Sequence, residues 1–384
     1  MNVPKVSVTA RGVALEALVA VEQGARANVV VPQLLDRSGL DGRDRHLVTE
    51  LVYGTTRMRR ACDWLSNRYV KGTLDDQVRS AIRLGVYQLV WTRIPAHAAV
   101  DATVGEVSGP GRSVANAVLR RCASSLAKSQ PAWPDPATEL SYPDWIVERL
   151  SKDLGPVDAR AALEVMNQPA TATARPDGYI QDPASQMVAA YVSELVGPGA
   201  AVLDTCAAPG GKSTALAAAG ARLVVAADLS PARAHVVALN AERLAASAVV
   251  TAVADGTVPP WRPKSFDAVL VDAPCSGLGV LRRRPDARWR VKPSDVERLA
   301  GIQRRLLRAS MDLVRPGGVL AYSVCTLTST ETAAVDNWLA RDAAGFEPLP
   351  PPGSPWRPAG RGAILLPQAE GTDGMFMLAL RAPR

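Results

Sequence analysis

Leu203 to Thr214, reading Leu-Asp-Thr-Cys-Ala-Ala-Pro-Gly-Gly-Lys-Ser-Thr, constrains this chain more than any other stretch. The apolar run Ala201–Leu203 leads into a turn holding Pro209, Gly210 and Gly211, and an Ala-rich segment of helical composition follows, so the sequence predicts strand, loop and helix. Such a loop presents backbone N–H groups to a ligand. A Walker A loop needs a glycine where Cys206 stands, so Gly211-Lys212-Ser213 is weak evidence for ATP. The Gly-x-Gly-x-x-Gly dinucleotide fingerprint is also missing. What remains is a nucleotide-like ligand without a pyrophosphate cradle, and S-adenosylmethionine is one. An ordinary tight turn would explain the glycines but not the whole string.

With 384 residues, 47% hydrophobic and 21% charged, the chain is long enough for two or three folded domains. A net charge of +7 points to an acidic partner, nucleic acid ahead of an anionic membrane. No signal-peptide pattern and no apolar run of membrane-spanning length occurs, so a cytoplasmic protein without a membrane partner is expected. Five scattered cysteines (Cys62, Cys122, Cys206, Cys275, Cys325) support neither a disulfide framework nor a zinc ribbon. Three dispersed histidines support neither a metal site nor a Ser-His-Asp arrangement.

Residues 1–130 read as a helical bundle, with apolar residues recurring three and four apart. Arg57, Arg59, Arg60, Arg68 and Lys71 cluster there with only Asp63 opposing them, and are candidates for backbone phosphates. The Pro-rich stretch from Ser129 to Pro143 reads as a linker, and a helix follows from Asp144 to Met166. From residue 181 strands and helices alternate, the pattern of a parallel sheet covered on both faces. Strands are predicted at 201–203, 223–227, 249–254, 268–271 and 319–324, with 375–380 as an edge strand.

Ligands in such sheets bind at the carboxyl ends of the strands. Asp228 follows the second strand, where a carboxylate can meet ribose hydroxyls, and Asp255 follows the third; either alone also reads as a turn aspartate. The fourth strand ends in Asp272-Ala-Pro-Cys275-Ser-Gly-Leu-Gly, the fifth in Ser-Val-Cys325-Thr. Cys62 and Cys122, inside helical patterns, read as buried fillers.

These three motifs, in this order, resemble the NOP2/Sun group of RNA cytosine-5 methyltransferases. The segments from Arg45 to Gly54 and Thr92 to Ala99 are similar to the NusB-like domain of its RsmB/Fmu branch, which modifies small-subunit ribosomal RNA. The resemblance covers nearly the whole chain. It implies an all-α NusB-like bundle (1–130), a linker and shortened pre-catalytic segment (131–180), and a Rossmann-like class I methyltransferase domain (181–384). The implied reaction is S-adenosylmethionine-dependent methylation of cytosine C5 in 16S ribosomal RNA by a monomer without a metal. Transfer RNA as substrate, or an RNA-binding protein with an inactive methyltransferase domain, are the alternatives.

The implied roles fit the chemistry. Cytosine C5 is a poor nucleophile until something adds at C6, and a thiolate attacks well and can leave again. The resemblance puts that nucleophile at Cys325, and at Cys275 a second thiol that releases the methylated RNA. Residues alone do not rank the two, since DNA cytosine-5 methyltransferases use a Pro-Cys nucleophile resembling Pro274-Cys275. Asp272 would hydrogen-bond the cytosine edge and lie near the methyl donor. Cys206, Ala207, Ala208, Pro209, Gly210, Gly211 and Lys212 would wrap the cofactor, with Asp228 and Arg233 at its ribose and Asp255 at its adenine. The target base must be exposed for a thiol to reach C6, which implies opened RNA. Leu281 to Arg290, basic and containing Trp289, is expected to contact RNA by stacking and phosphate pairing. Family members generally carry a small α/β RNA-contacting segment before the motif at Gln181; here roughly a dozen residues intervene.

Overall fold

The computed structural model describes residues 8–343 and 345–384. The first seven residues of the expected bundle, and residue 344, lie outside the described residues. Two compact units result: residues to Val147 together with Arg283–Arg290, and Glu148–Arg282 together with Val291–Arg384.

The first unit is helical: α1 Ala10–Glu22, α2 Ala27–Ser38, α3 Gly42–Arg57, α4 Arg59–Asn67, α5 Asp76–Trp91, α6 Ala96–Gly105, α7 Gly111–Leu126 and the single turn α8 Pro136–Glu139. Thr9, Asp41 and Asp75 cap α1, α3 and α5 through their side chains. Val48, Leu51 and Val52 of α3 and Ile82, Leu84 and Val86 of α5 share one core with Leu15, Leu18 and Leu119. Cys62 and Cys122 are buried in it, and burial pushes both thiols up.

The expected linker is partly built into this unit. Ser141 Oγ accepts from the Arg60 and Ala61 N–H groups, capping α4 from 80 residues away, while the Arg60 guanidinium donates to Thr138 Oγ1, Tyr142 O and Asp144. Those contacts also revise the basic cluster. Arg57 is buried, Arg59 pairs with Glu22, and Asp63 turns to Arg83. Arg68 lies over the Trp64 and Tyr69 rings and stays exposed, as does Lys71. Five clustered arginines and lysines therefore do not form one phosphate-binding face.

The stretch Leu281–Arg290 is largely turned inward, unlike the RNA-contacting run expected of it. Arg282 is buried and donates to Gly371 O and Pro169 O. Arg288, fully buried, stacks at 3.9 Å over the Tyr142 ring and donates to Arg57 O and Ser141 O. Burial pulls its pKa down to about 10. Trp289 donates through Nε1 to Thr56 O at 2.7 Å. These residues satisfy backbone carbonyls within the protein. Arg284 alone of the run is exposed without being tied to a carboxylate in the way Arg290 is tied to Asp286.

The second unit opens with α9 Asp144–Leu154, within which the division falls, and α10 Pro156–Val165; Gly155, at φ 83°, and Pro156 break the single helix expected there. It continues with α11 Pro183–Val196, β1 Ala201–Asp204, α12 Gly211–Ala218, β2 Leu223–Asp228, α13 Pro231–Arg243, β3 Val249–Val253 and β4 Phe266–Asp272. The turn α14 Ala287–Arg290 belongs to the helical unit. Then come α15 Pro293–Met311, β5 Val314–Val324, α16 Ala333–Asp342, the short β6 Glu347–Pro348, β7 Arg357–Ala359 and β8 Gly362–Leu365, the turn α17 Pro367–Glu370 and β9 Met375–Arg381.

The sheet order is β3-β2-β1-β4-β5-β9-β8-β7, parallel from β3 to β5 and antiparallel at β9. Val269, Val271, Leu320 and Tyr322 face one core with α15 and α16, and Val202, Ala268, Leu270 and Ala321 face another with α11. Met375–Arg381 is not an edge strand: it lies between β5 and β8. Strand order reverses between β1 and β4, so the loops after these strands border the crevice where such sheets bind ligands. No helix among the described residues is long and apolar enough to cross a membrane.

Candidate active site

The loop after β1 is tied to the end of β2, because Ala207 donates its N–H to Ala227 O at 2.8 Å. Gly210 takes φ 102° at the start of α12, and a Cβ there would press on Val237 at 3.2 Å, so glycine is required. Asp228, buried at the end of β2, accepts from Ser230 N–H and pairs with Arg233 at 3.3 Å; Arg233 also reaches Ala208 O. Cys206, Ala207, Ala208, Pro209, Gly210, Asp228 and Arg233 thus form one neighbourhood. Asp255 is exposed and accepts from both Thr257 N–H and Thr257 Oγ1, the arrangement of a turn cap.

Lys212 is buried, and its Nζ donates to Asp272 Oδ2 at 2.6 Å. Burial alone would lower its pKa, but the Asp272 carboxylate outweighs that and holds it above the usual lysine value. The lysine that made the loop look like a phosphate cradle is therefore committed to a carboxylate at the end of β4. Ser323 Oγ donates to the other Asp272 oxygen at 2.6 Å, joining β4 to β5.

At the ends of these two strands the Cys275 and Cys325 sulfurs stand 3.2 Å apart, both half-buried. The hydrogen bond to Cys325, followed by burial and the nearby Glu331 carboxylate, pushes the Cys275 thiol well up. Ser276 and Thr326, each next to a cysteine, are linked at 2.9 Å through their hydroxyls. Gly279 donates to Cys325 O and accepts from Gly374 N–H, pinning both loops to the start of β9.

Sequence reasoning missed several residues here. Glu331, fully buried, accepts from Ser276 N–H (2.8 Å), Ser276 Oγ (2.5 Å), Thr328 Oγ1 (3.0 Å) and Gln303 Nε2 (3.0 Å). Nothing in the chain order signals this, although the hydroxyl residue following each cysteine was a visible symmetry. Arg175 was also missed: it donates to Gly211 O and Thr214 Oγ1 and stacks on Tyr179, clasping the short segment before Gln181 onto the start of α12.

The sequence matches the 16S rRNA methyltransferase RsmB/F family over residues 196–381 and the NusB family over residues 8–124. Ribosomal RNA small subunit methyltransferase B of Thermus thermophilus is 35% identical over 407 residues, covering 97% of this chain and 98% of that protein. The chain belongs to the RsmB/F family. A Mycobacterium tuberculosis protein that carries a methyltransferase name is 36% identical over 445 residues, covering 97% of this chain and 96% of its own length. That span exceeds the 384 residues present here, so its alignment includes stretches this RsmB/F chain lacks. The crystal structure of PH0851 shares the fold, with a TM-score of 0.78 at 20% identity over 98% of this chain and 99% of that one.

Membership makes the chain an RNA methyltransferase with S-adenosylmethionine as its cofactor. The residues fit that molecule. Asp228 is a strand-end carboxylate of the kind that receives paired hydroxyls, and the loop from Cys206 to Gly210 lies beside it through the Ala207–Ala227 and Arg233–Ala208 hydrogen bonds. No lysine in the loop is left to balance a pyrophosphate, since Lys212 is held by Asp272.

Proposed function

We propose that this RsmB/F methyltransferase transfers a methyl group to C5 of a cytosine in small-subunit ribosomal RNA through a covalent bond from Cys325 to C6. The observation that carries the reading is the pair of thiols 3.2 Å apart at the ends of adjacent strands, beside the Lys212–Asp272 pair and the glycine loop. S-adenosylmethionine, when bound, supplies an electrophilic methyl group.

The Cys325 thiolate adds to C6, and the C5=C6 electron pair becomes available at C5. Asp272 uses two of its roughly four acceptor positions on Lys212 and Ser323, leaving others for the cytosine edge. Lys212 beside it offsets the charge that grows on the ring. Once C5 carries the methyl group, Cys325 is a thioether and no longer holds the Cys275 thiol up. Cys275 then loses its proton to solvent and takes the C5 proton; the C5=C6 bond re-forms and the pair of the S–C6 bond returns to Cys325 as thiolate. Asp228 and Arg233 hold the cofactor's ribose, the loop from Cys206 to Lys212 wraps it, and Asp255 serves its adenine. Helices α1 to α7 dock the RNA.

The test uses unmethylated small-subunit ribosomal RNA. Cys325→Ala is expected to abolish transfer, and Cys275→Ala to accumulate an RNA adduct that survives a denaturing gel. Normal turnover by Cys325→Ala would overturn the proposal, and bisulfite sequencing of the product checks the C5 position.

A further inference from the structure

The cage around Glu331 has no part in the roles assigned so far. We propose that Glu331 is a positioning residue that locks the two cysteine-bearing loops together and, by its charge, keeps the proton of the thiol pair on Cys275. The inference rests on the two-cysteine reading above.

The carboxylate joins elements distant in sequence. Its Oε1 takes the Ser276 N–H and Gln303 Nε2, and Gln303 Nε2 also holds Pro274 O at 3.0 Å, so both neighbours of Cys275 are fixed. Its Oε2 takes the Ser276 and Thr328 hydroxyls, and Ser276 Oγ meets Thr326 Oγ1 beside Cys325. Tyr322 OH, between the faces of this cage, donates to Glu331 O at 2.7 Å and lies 3.0 Å from Gln303 Oε1. Four donors on a fully buried group are the surroundings of a carboxylate acting only as acceptor. Among the described residues, Lys212 interacts with Cys325 and Tyr322 with Cys275, and Lys212 is in turn held by Asp272. Lys212 and Asp272 pair with each other on the cofactor side, and Arg304 of α15 acts on Tyr322, while the carboxylate that acts on Cys275 itself is Glu331. A negative charge there disfavours a Cys275 thiolate, which leaves the role of nucleophile to Cys325. The same charge makes Cys275 a stronger base when it collects the C5 proton.

Glutamine at 331 keeps the shape. Its amide oxygen can replace Oε1, and the Ser276 and Thr328 hydroxyls can rotate to accept from its NH2 group. The experiment treats full-length protein, without RNA or cofactor, with iodoacetamide at pH 7.5 and follows Cys275 and Cys325 separately by peptide mass spectrometry. Glu331→Gln is expected to raise Cys275 labelling relative to Cys325 by about 3- to 10-fold, the effect of lowering one thiol pKa by about half to one. Thr328→Val removes one donor and keeps the charge, so it should lower Cys275 labelling instead. A labelling ratio unchanged in both variants, or shifted the same way in both, overturns the proposal. Because no RNA is present, this outcome is separate from the Cys325→Ala result, which judges the methylation chemistry alone.

Discussion

Replacing Asp204 by asparagine tests how deeply the end of β1 is buried. Asp204 is 1% exposed, and one carboxylate oxygen accepts from Ser213 Oγ at 2.7 Å. Burial, reinforced by the charge of Asp272 and only partly opposed by the Ser213 hydrogen bond, pushes its pKa up to about 7. The pKa is raised on folding, so the protonated form is the one the fold prefers. Its contribution is complete below the unfolded value of about 3.9 and is lost as pH rises through about 7. A rise from about 3.9 to about 7 is worth about 4 kcal/mol in full, of which about 2.5 kcal/mol falls between pH 5 and pH 8. Asparagine has the same shape and cannot titrate. Urea unfolding of both proteins at pH 5 and pH 8 is the assay: the wild type should lose about 2.5 kcal/mol more than Asp204→Asn over that interval. Equal losses within about 0.5 kcal/mol would refute the reasoning, because they would mean Asp204 meets water or a counter-charge in the folded chain.

Gly279→Ala would drive a Cβ into Gly374 O and press on Cys325 O at 3.0 Å, both backbone atoms that cannot rotate away. A loss of about 2 to 3 kcal/mol and a lowered thermal midpoint are expected, with Cys325 alkylated at a changed rate. Arg288→Ala should cost about 3 kcal/mol, seen in urea unfolding, because Arg57 O and Ser141 O lose a donor and Tyr142 loses its stacked partner. The salt slope of RNA binding should stay unchanged, since a fully buried Arg288 neutralises no phosphate.

The five parallel strands were legible because a sheet buried on both faces needs unbroken apolar runs, as in Ala268–Val271, and such runs survive any reading of a single sequence. The bundle was legible for the matching reason of helical spacing. Glu347–Leu365 hid its three short strands behind prolines and glycines, which is why Met375–Arg381 passed for an edge. Arginines were the weakest guide. Arg60, Arg282 and Arg288 look like surface charge in sequence, yet each serves carbonyls about 80 or more residues away. The Asp272–Lys212 pairing, 60 residues apart, and the cage of Glu331 are equally non-local: the motif names the residues, and only the sheet order brings them together.

Arg283–Arg290 has a consequence for how the chain is made. Arg288 fills the helical unit beside Tyr142, so that unit is unfinished when residue 147 leaves the ribosome and stays so until about 140 more residues have followed. At roughly 5 to 20 residues per second this is a delay of about 7 to 28 seconds. During it, the Tyr142 ring and the carbonyls of Arg57 and Ser141 wait for their partner. By the time it arrives, β1 to β4 and the Cys275 loop have been synthesised, so the last step in closing the N-terminal unit falls after the first half of the catalytic sheet.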